Sequence, residues 1–339
     1  MTISTILKST VALAGLFAAG AASAAELNIY TTREPGLIQP LLDAYTKETG
    51  TKVNTVFLKD GLVERVSTEG ESSPADILMT VDAGNLVDLV DKGVTQAVES
   101  KTLTDSIPAQ LRDTNGHWYG LSMRARVVYA AKDLDLASIT YEDLADPKWK
   151  GKLCIRSGQH PYNTALFADY IAHHGAEETE KWLAGVKENL ARKAGGGDRD
   201  GAKDILGGIC DIAVANSYYV GLMQSGKGGE EQVKWAEAIK VVLPTFKDGG
   251  TQVNISGAAV AKHAPNKDEA VKLLEYLVSD EAQKIYAEAN YEWPVKAGAA
   301  ADPIVAGWGE LKIDSKPLTE IVGHRKQASE LVEKVSFDN

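Results

Sequence analysis

Apolar positions along this chain fall into short runs of strand type separated by stretches of helical spacing. Glu26–Thr31 (ELNIYT) reads as a strand, and Arg33-Glu34-Pro35-Gly36 as a turn into a helix. On that helix Leu37, Ile38, Leu41, Leu42 and Tyr45 recur three and four residues apart, and Gly50 closes it. Lys52–Leu58 is a second strand, Val63 and Val66 lie on a second helix, and Ala75–Thr80 (ADILMT) is a third strand. A helix from Gly84 to about Lys92 follows. Strands alternating with helices predict α/β units on a mostly parallel sheet.

Two segments break the rhythm. Gly120–Ala131 (GLSMRARVVYAA) ends in a strong strand pattern, and Lys240–Lys262 holds two strand-like pieces, KVVLP and QVNISGAAVA. The stretch between them, Thr140–Gly229, has a strand–helix pattern of its own. After Pro265 an amphipathic helix is expected to about Ala289, with Ala270, Leu273, Leu274 and Leu277 on one face. Ala194–Gly201 (AGGGDRDG) reads as flexible surface, with a phosphate-type cradle as the alternative. A chain of 339 residues suggests about two domains. These features predict two lobes joined by crossover hinge strands near Ser122–Arg126 and Phe246–Thr251. One lobe would comprise residues 25–122 and 250–299, the other 123–249 and 300–339.

The first residues carry Lys8, then an apolar run from Val11 to about Ala22, then the small-residue site Ala22-Ser23-Ala24. This predicts a secretory signal over residues 1–24, cleaved after Ala24. No other run approaches the ~18–20 apolar residues of a membrane span. Lys and Arg number 36 against 47 Asp and Glu, a net charge of −11 that argues against nucleic-acid binding. An exported, two-lobed α/β chain suggests a solute-binding protein that closes on its ligand by hinge motion.

Motifs for catalysis are missing from the sequence. It has no G-x-S-x-G, H-E-x-x-H or Walker A pattern, and nothing supplies a nucleophile–base pair. His117, His160, His173, His174, His263 and His324 show no zinc-ligand spacing, and His173-His174 reads as a solvated pair on a polar helix face. Tyr218-Tyr219 is the sharpest feature. It follows the strand Asp211–Ala215 and the polar pair Asn216-Ser217, at a strand's C-terminal end where open α/β sheets bind ligands. Tyr162 follows the strand Lys152–Arg156 in the same way. A bare tyrosine pair more often serves as aromatic packing, but here three tyrosines lie beyond two strands of one lobe. Phenolate is a hard anionic donor suited to ferric iron, and three would cancel the charge of Fe(III). Open coordination positions would take water or a small anion, held bidentately by an arginine. Arg33, Arg124 and Arg126 are the candidates.

The mature chain resembles the periplasmic ferric-iron-binding proteins of ABC importers. The resemblance rests on Ile29–Glu34 (IYTTRE), Ser73–Ile77 (SPADI), Gly120–Arg126 (GLSMRAR), Tyr141–Gly151 (YEDLADPKWKG), Arg156–Asn163 (RSGQHPYN) and Asn216–Tyr219 (NSYY). It implies a two-lobed Venus-flytrap fold with two crossover strands. It further implies Fe(III) ligation by Tyr162, Tyr218 and Tyr219, anion contacts at Ser157, Gly158 and Asn216, and Arg124 or Arg126 as charge partner. The anion would be carbonate or similar, and the iron would pass from a monomer to a membrane permease. Relatives often complete the site with a histidine and a tyrosine after the first strand. Those positions match Glu34 and Pro35 here, and only Glu34 has a ligand atom. Cys154 and Cys210 lie on the strands leading to the tyrosine loops. If those strands are neighbours a disulfide would brace both loops; two free thiols are the alternative. A binder of an organic or oxyanion solute on the same scaffold is the competing reading, with the tyrosines as its walls.

Overall fold

The computed structural model describes residues 26–339, so the expected signal and its cleavage site lie outside the described residues. The strands are β1 (Glu26–Thr31), β2 (Lys52–Phe57), β3 (Ile77–Thr80), β4 (Thr95–Gln96), β5 (Tyr119–Ala131), β6 (Leu153–Ile155), β7 (Ile212–Asn216), β8 (Ile239–Val242), β9 (Val253–Ala261) and β10 (Trp293–Pro294). Seven of them form a path in the order β2-β1-β3-β9-β5-β7-β6, while β8 and β10 pair with β5 and β4 pairs with β9.

Among these strands, parallel pairing is confined to β1 with β2 and β3, and to β6 with β7. β9 runs antiparallel to β3 and β5, and β5 antiparallel to β7 and β8. The sheet is therefore mixed rather than mostly parallel. Strand–helix alternation enforces parallel pairing only where a helix covers the return. β5 and β9 instead run between the two halves of the sheet.

β5 is the element that joins those halves. Tyr119–Ala125 pair with β9, whereas Arg126–Ala130 pair with β7. Its residues are buried as far as Ala130, including the polar Ser122, Arg124 and Arg126. The chain returns through residues 246–252, where the Arg126 N–H donates to the Gln252 carbonyl at 3.0 Å. The first expected hinge, Ser122–Arg126, lies within β5, whereas the second, Phe246–Thr251, is a turn and loop that leads into β9 and not a strand.

The helix expected over residues 265–289 is two helices, Lys267–Leu277 and Asp280–Asn290. Ser279 breaks the run: its hydroxyl accepts from Ala282 N, and Asp280 and Glu281 fill the next first turn. Among the described residues no helix is long and apolar enough to cross a membrane.

Cys154 and Cys210 form a disulfide, with Cα atoms 5.9 Å apart across a separation of 56 residues. On the chain-entropy view a loop of this size contributes about 4 kcal/mol. Cys154→Ala/Cys210→Ala should lower the urea unfolding free energy by roughly 2–4 kcal/mol. An unchanged midpoint would show that the bridge adds nothing to stability.

Candidate functional site

Two parallel neighbours, β6 and β7, set the site. Cys154 pairs with Ala213 and Ile155 with Val214, so both strands end side by side. β6 leads through Arg156–His160 into the helix Pro161–Glu188, and β7 leads through Ser217 into the helix Tyr218–Gln224. Tyr162 therefore sits on the first turn of one helix and Tyr218 and Tyr219 on the first turn of the other. The Tyr162 and Tyr218 hydroxyls are 3.4 Å apart, and the rings of Tyr218 and Tyr219 lie 4.1 Å centre to centre. The structure brings all three predicted tyrosines together.

Electrostatics favour neutral phenols at Tyr218 and Tyr219. Burial pushes Tyr218 well above its ordinary pKa, Tyr162 and Tyr219 add to the rise, and Arg124 partly opposes it. Burial, then Tyr162, pushes Tyr219 up to about 12. Guanidinium carbons surround the rings: Arg124 and Arg156 lie 5.8 and 5.2 Å from the Tyr162 ring centre, and Arg199 lies 5.1 Å from that of Tyr219. His160 caps the first helix, its Nδ1 accepting from Tyr162 N at 3.2 Å. Burial, then the charge of Arg156, lowers His160 to about 4, so it is a neutral acceptor at pH 7.

The predicted anion contacts separate into two groups. Arg124 faces the tyrosines and donates to Ser256 Oγ at 3.4 Å and to the Val81 carbonyl. The others have partners of their own. Arg126 donates to Asp198 at 2.6 Å, to Asn216 Oδ1 at 3.1 Å, and to Asn163 Oδ1. Arg33 is bound by Glu292 at 3.0 Å, and Ser122 Oγ donates to the same carboxylate. Burial alone would favour loss of the Arg33 proton, but Glu292, Tyr286 and Tyr218 together outweigh it and hold the charge. Ser157 Oγ and Gly158 N both donate to the Asp338 carboxylate. Glu34 is exposed and forms no hydrogen bond or ion pair with the tyrosines.

Sequence reasoning missed Asp198. The glycine-rich stretch around it was expected at the surface or as a phosphate cradle, yet Asp198 is buried. Gly197 N in that stretch donates to Asp200 at 2.6 Å, so an internal carboxylate occupies the turn. Asp198 accepts from Arg126, Arg156 and Asn216 N, beneath both tyrosine loops. His173 was expected in solvent, but its side chain is only 3% exposed, between Asp314, 3.1 Å away, and Asp169. Helix 161–188 turns that face inward against the chain near Asp314. A cavity of about 640 Å³ opens beside the first helix, lined by Asn85, Gln159, Pro161, Asn254 and Arg325 among others, but the phenols do not line it.

Residues 72–308 match the family of bacterial extracellular solute-binding proteins. Iron uptake protein A2 of Synechocystis is 40% identical over 92% of this chain and 90% of its own. A Bordetella ferric binding protein has 68% identity and a TM-score of 0.90, covering 93% of this chain and all of that one. A Trichodesmium protein solved with iron and citrate ligands has 41% identity and a TM-score of 0.88, covering 92% of this chain and 99% of its own. The two-lobed α/β periplasmic-binding fold is common to these structures and this one. The chain belongs to the bacterial extracellular solute-binding proteins.

Proposed function

We propose that this protein carries Fe(III) in the periplasm for an ABC importer, binding the ion through the phenolates of Tyr162, Tyr218 and Tyr219. The observation that carries the reading is the convergence of three phenols at the ends of two adjacent strands, with Arg124 beside them. Ferric iron supplies the charge that makes three buried phenolates favourable together, and they neutralise it in turn. A small anion such as carbonate completes the coordination and rests against Arg124, the one predicted arginine that faces the tyrosine cluster. The names of the Bordetella, Synechocystis and Trichodesmium relatives support iron as the cargo. Delivery goes to a membrane permease, and the role is transport rather than catalysis. The lobes close about β5 near Ala125 and about residues 246–252.

The test is a visible titration of iron-free protein with ferric citrate. Phenolate-to-iron charge transfer should give an orange-red band that saturates at about one iron per chain. A colourless protein that binds a small anion without metal would replace this reading with an organic-solute binder.

Acid should weaken the complex. Tyr218 and Tyr219 begin as phenols with raised pKa values, so binding iron releases their protons. Added protons therefore compete with the ion, and affinity falls as pH falls. The logarithm of the association constant should rise by up to about three per pH unit if three phenols ionise on binding. An affinity flat between pH 5 and 8 would rule out phenolate ligation.

A further inference from the structure

A second cluster lies away from the tyrosines, where the helix Pro161–Glu188 meets two connecting segments. Asp169 and His173 are four residues apart on that helix and so share a face. Asp314 comes from the segment that runs beside residues 246–251: Asp314 N donates to the Thr251 carbonyl and Thr251 N to that of Lys312. One donor atom from each of Asp169, His173 and Asp314 lies within 4.8 Å of the other two.

Three features distinguish this cluster from an ordinary ion pair. Asp169 is fully buried, and neither of its oxygens has a hydrogen-bond partner. A carboxylate in that condition is strongly unfavourable, so burial and then the charge of Asp314 push Asp169 well above the ordinary carboxyl range, and it ionises only where a cation meets it. His173 Nε2 is 3.1 Å from Asp314 Oδ2 and 3.8 Å from Asp169 Oδ1. Ligands about 2.0–2.1 Å from a tetrahedral ion are about 3.3 Å from one another, so both distances lie within about half an ångström of that edge. The surroundings also fix the ligands. The His173 ring stacks on Phe246 at 4.1 Å, and Asp248 Oδ1 lies 2.9 Å from its Nδ1. Asp314 accepts from Gly250 N through Oδ2 and from Lys316 N through Oδ1. A Cβ on Gly249 would stand 2.2 Å from Asp314 Oδ2 and 2.8 Å from His173 Cε1, so only glycine lets the chain close over the cluster.

We propose that Asp169, His173 and Asp314 form a cation site separate from the tyrosines, taking one divalent ion of the zinc class. One imidazole and two carboxylates suit a borderline ion, whereas ferric iron is served by the all-oxygen phenolate cluster. Bound there, the ion ties residues 246–251 and 312–316 to the helix whose first turn carries Tyr162. The site therefore braces the connections between the two halves of the sheet and leaves the tyrosines free.

Iron-free, chelator-treated protein titrated with zinc or cobalt(II) alone tests this. About one ion should bind per chain, cobalt should give the strong visible bands of a tetrahedral site, and zinc should raise the thermal midpoint. Asp169→Asn, which preserves shape, should weaken zinc binding at least about tenfold. The same variant should keep the ferric charge-transfer band, whereas Tyr218→Phe should lose that band and keep the zinc shift. If Asp169→Asn fails to fold, zinc-induced movement of the His173 ring nitrogen resonances in the unmodified protein gives the same answer. Absence of both the cobalt bands and the zinc shift would overturn the proposal. So would equal zinc affinity in Asp169→Asn, or a His173 resonance that responds to pH and not to zinc.

Discussion

Tyr218→Phe should abolish the iron charge-transfer band at one equivalent of ferric citrate and weaken iron binding by at least about a hundredfold, beyond what losing a mere supporting contact removes. Tyr218 is partly buried against the core, and its hydroxyl lies 3.4 Å from that of Tyr162. Phenylalanine keeps the ring against Tyr219 and removes one anionic ligand. The fold should survive, because a hydroxyl with one long hydrogen bond contributes little to stability. Tyr219→Phe should behave alike. Loss of iron with an unchanged thermal midpoint separates a ligand from a packing residue. If both variants kept the band at wild-type affinity, the tyrosine site would be wrong.

How much of this site was legible follows from what each residue does. Tyr162, Tyr218 and Tyr219 could be found because each stands just beyond a strand, and strand ends are where an α/β sheet presents ligands. The adjacency of β6 and β7, on which the cluster depends, stood in the sequence only as a condition, since strand order leaves no local mark. Partners of the arginines were not legible. Arg126 was expected to hold an anion, but Asp198 meets it from 72 residues away, and Arg33 meets Glu292 from 259 residues away. Such pairings are set by topology, and a charged residue looks the same in sequence whether its partner is solvent, cargo or another side chain. Ser157 and Gly158 illustrate the same point: their donors match an anion contact, and a carboxylate does bind them, but it is Asp338 of the same chain. The split at Ser279 was missed although serine followed by two acids is a helix-start signal, because the apolar spacing on either side continues across it.

Asp198→Ala should produce the largest loss of stability, about 3–5 kcal/mol in urea unfolding, because it strands charge that is already out of water. Asp198 is buried with Arg126 beside it, and Arg156 reaches its other oxygen at 3.3 Å. Removing the carboxylate leaves two guanidinium groups without their counter-charge and the Asn216 N–H without its acceptor. Asp198→Asn keeps an acceptor for Asn216 N and should lose less. Replacing Arg126 by Met together with Asp198→Ala should recover part of the loss, since the uncompensated charge goes with it. Iron binding should suffer even in the folded fraction. Arg126 holds Asn163, and Asn163 Nδ2 donates to the carbonyls of Arg156 and Ser157, the loop that sets Tyr162. Asn216 is the last residue of β7, two before Tyr218. One carboxylate thus positions both tyrosine loops from below. Ferric titration of Asp198→Asn under conditions where it is fully folded should show weaker binding with the band still present. A wild-type unfolding midpoint in Asp198→Ala would mean that the arginines find water or other partners and that the network holds neither the fold nor the site.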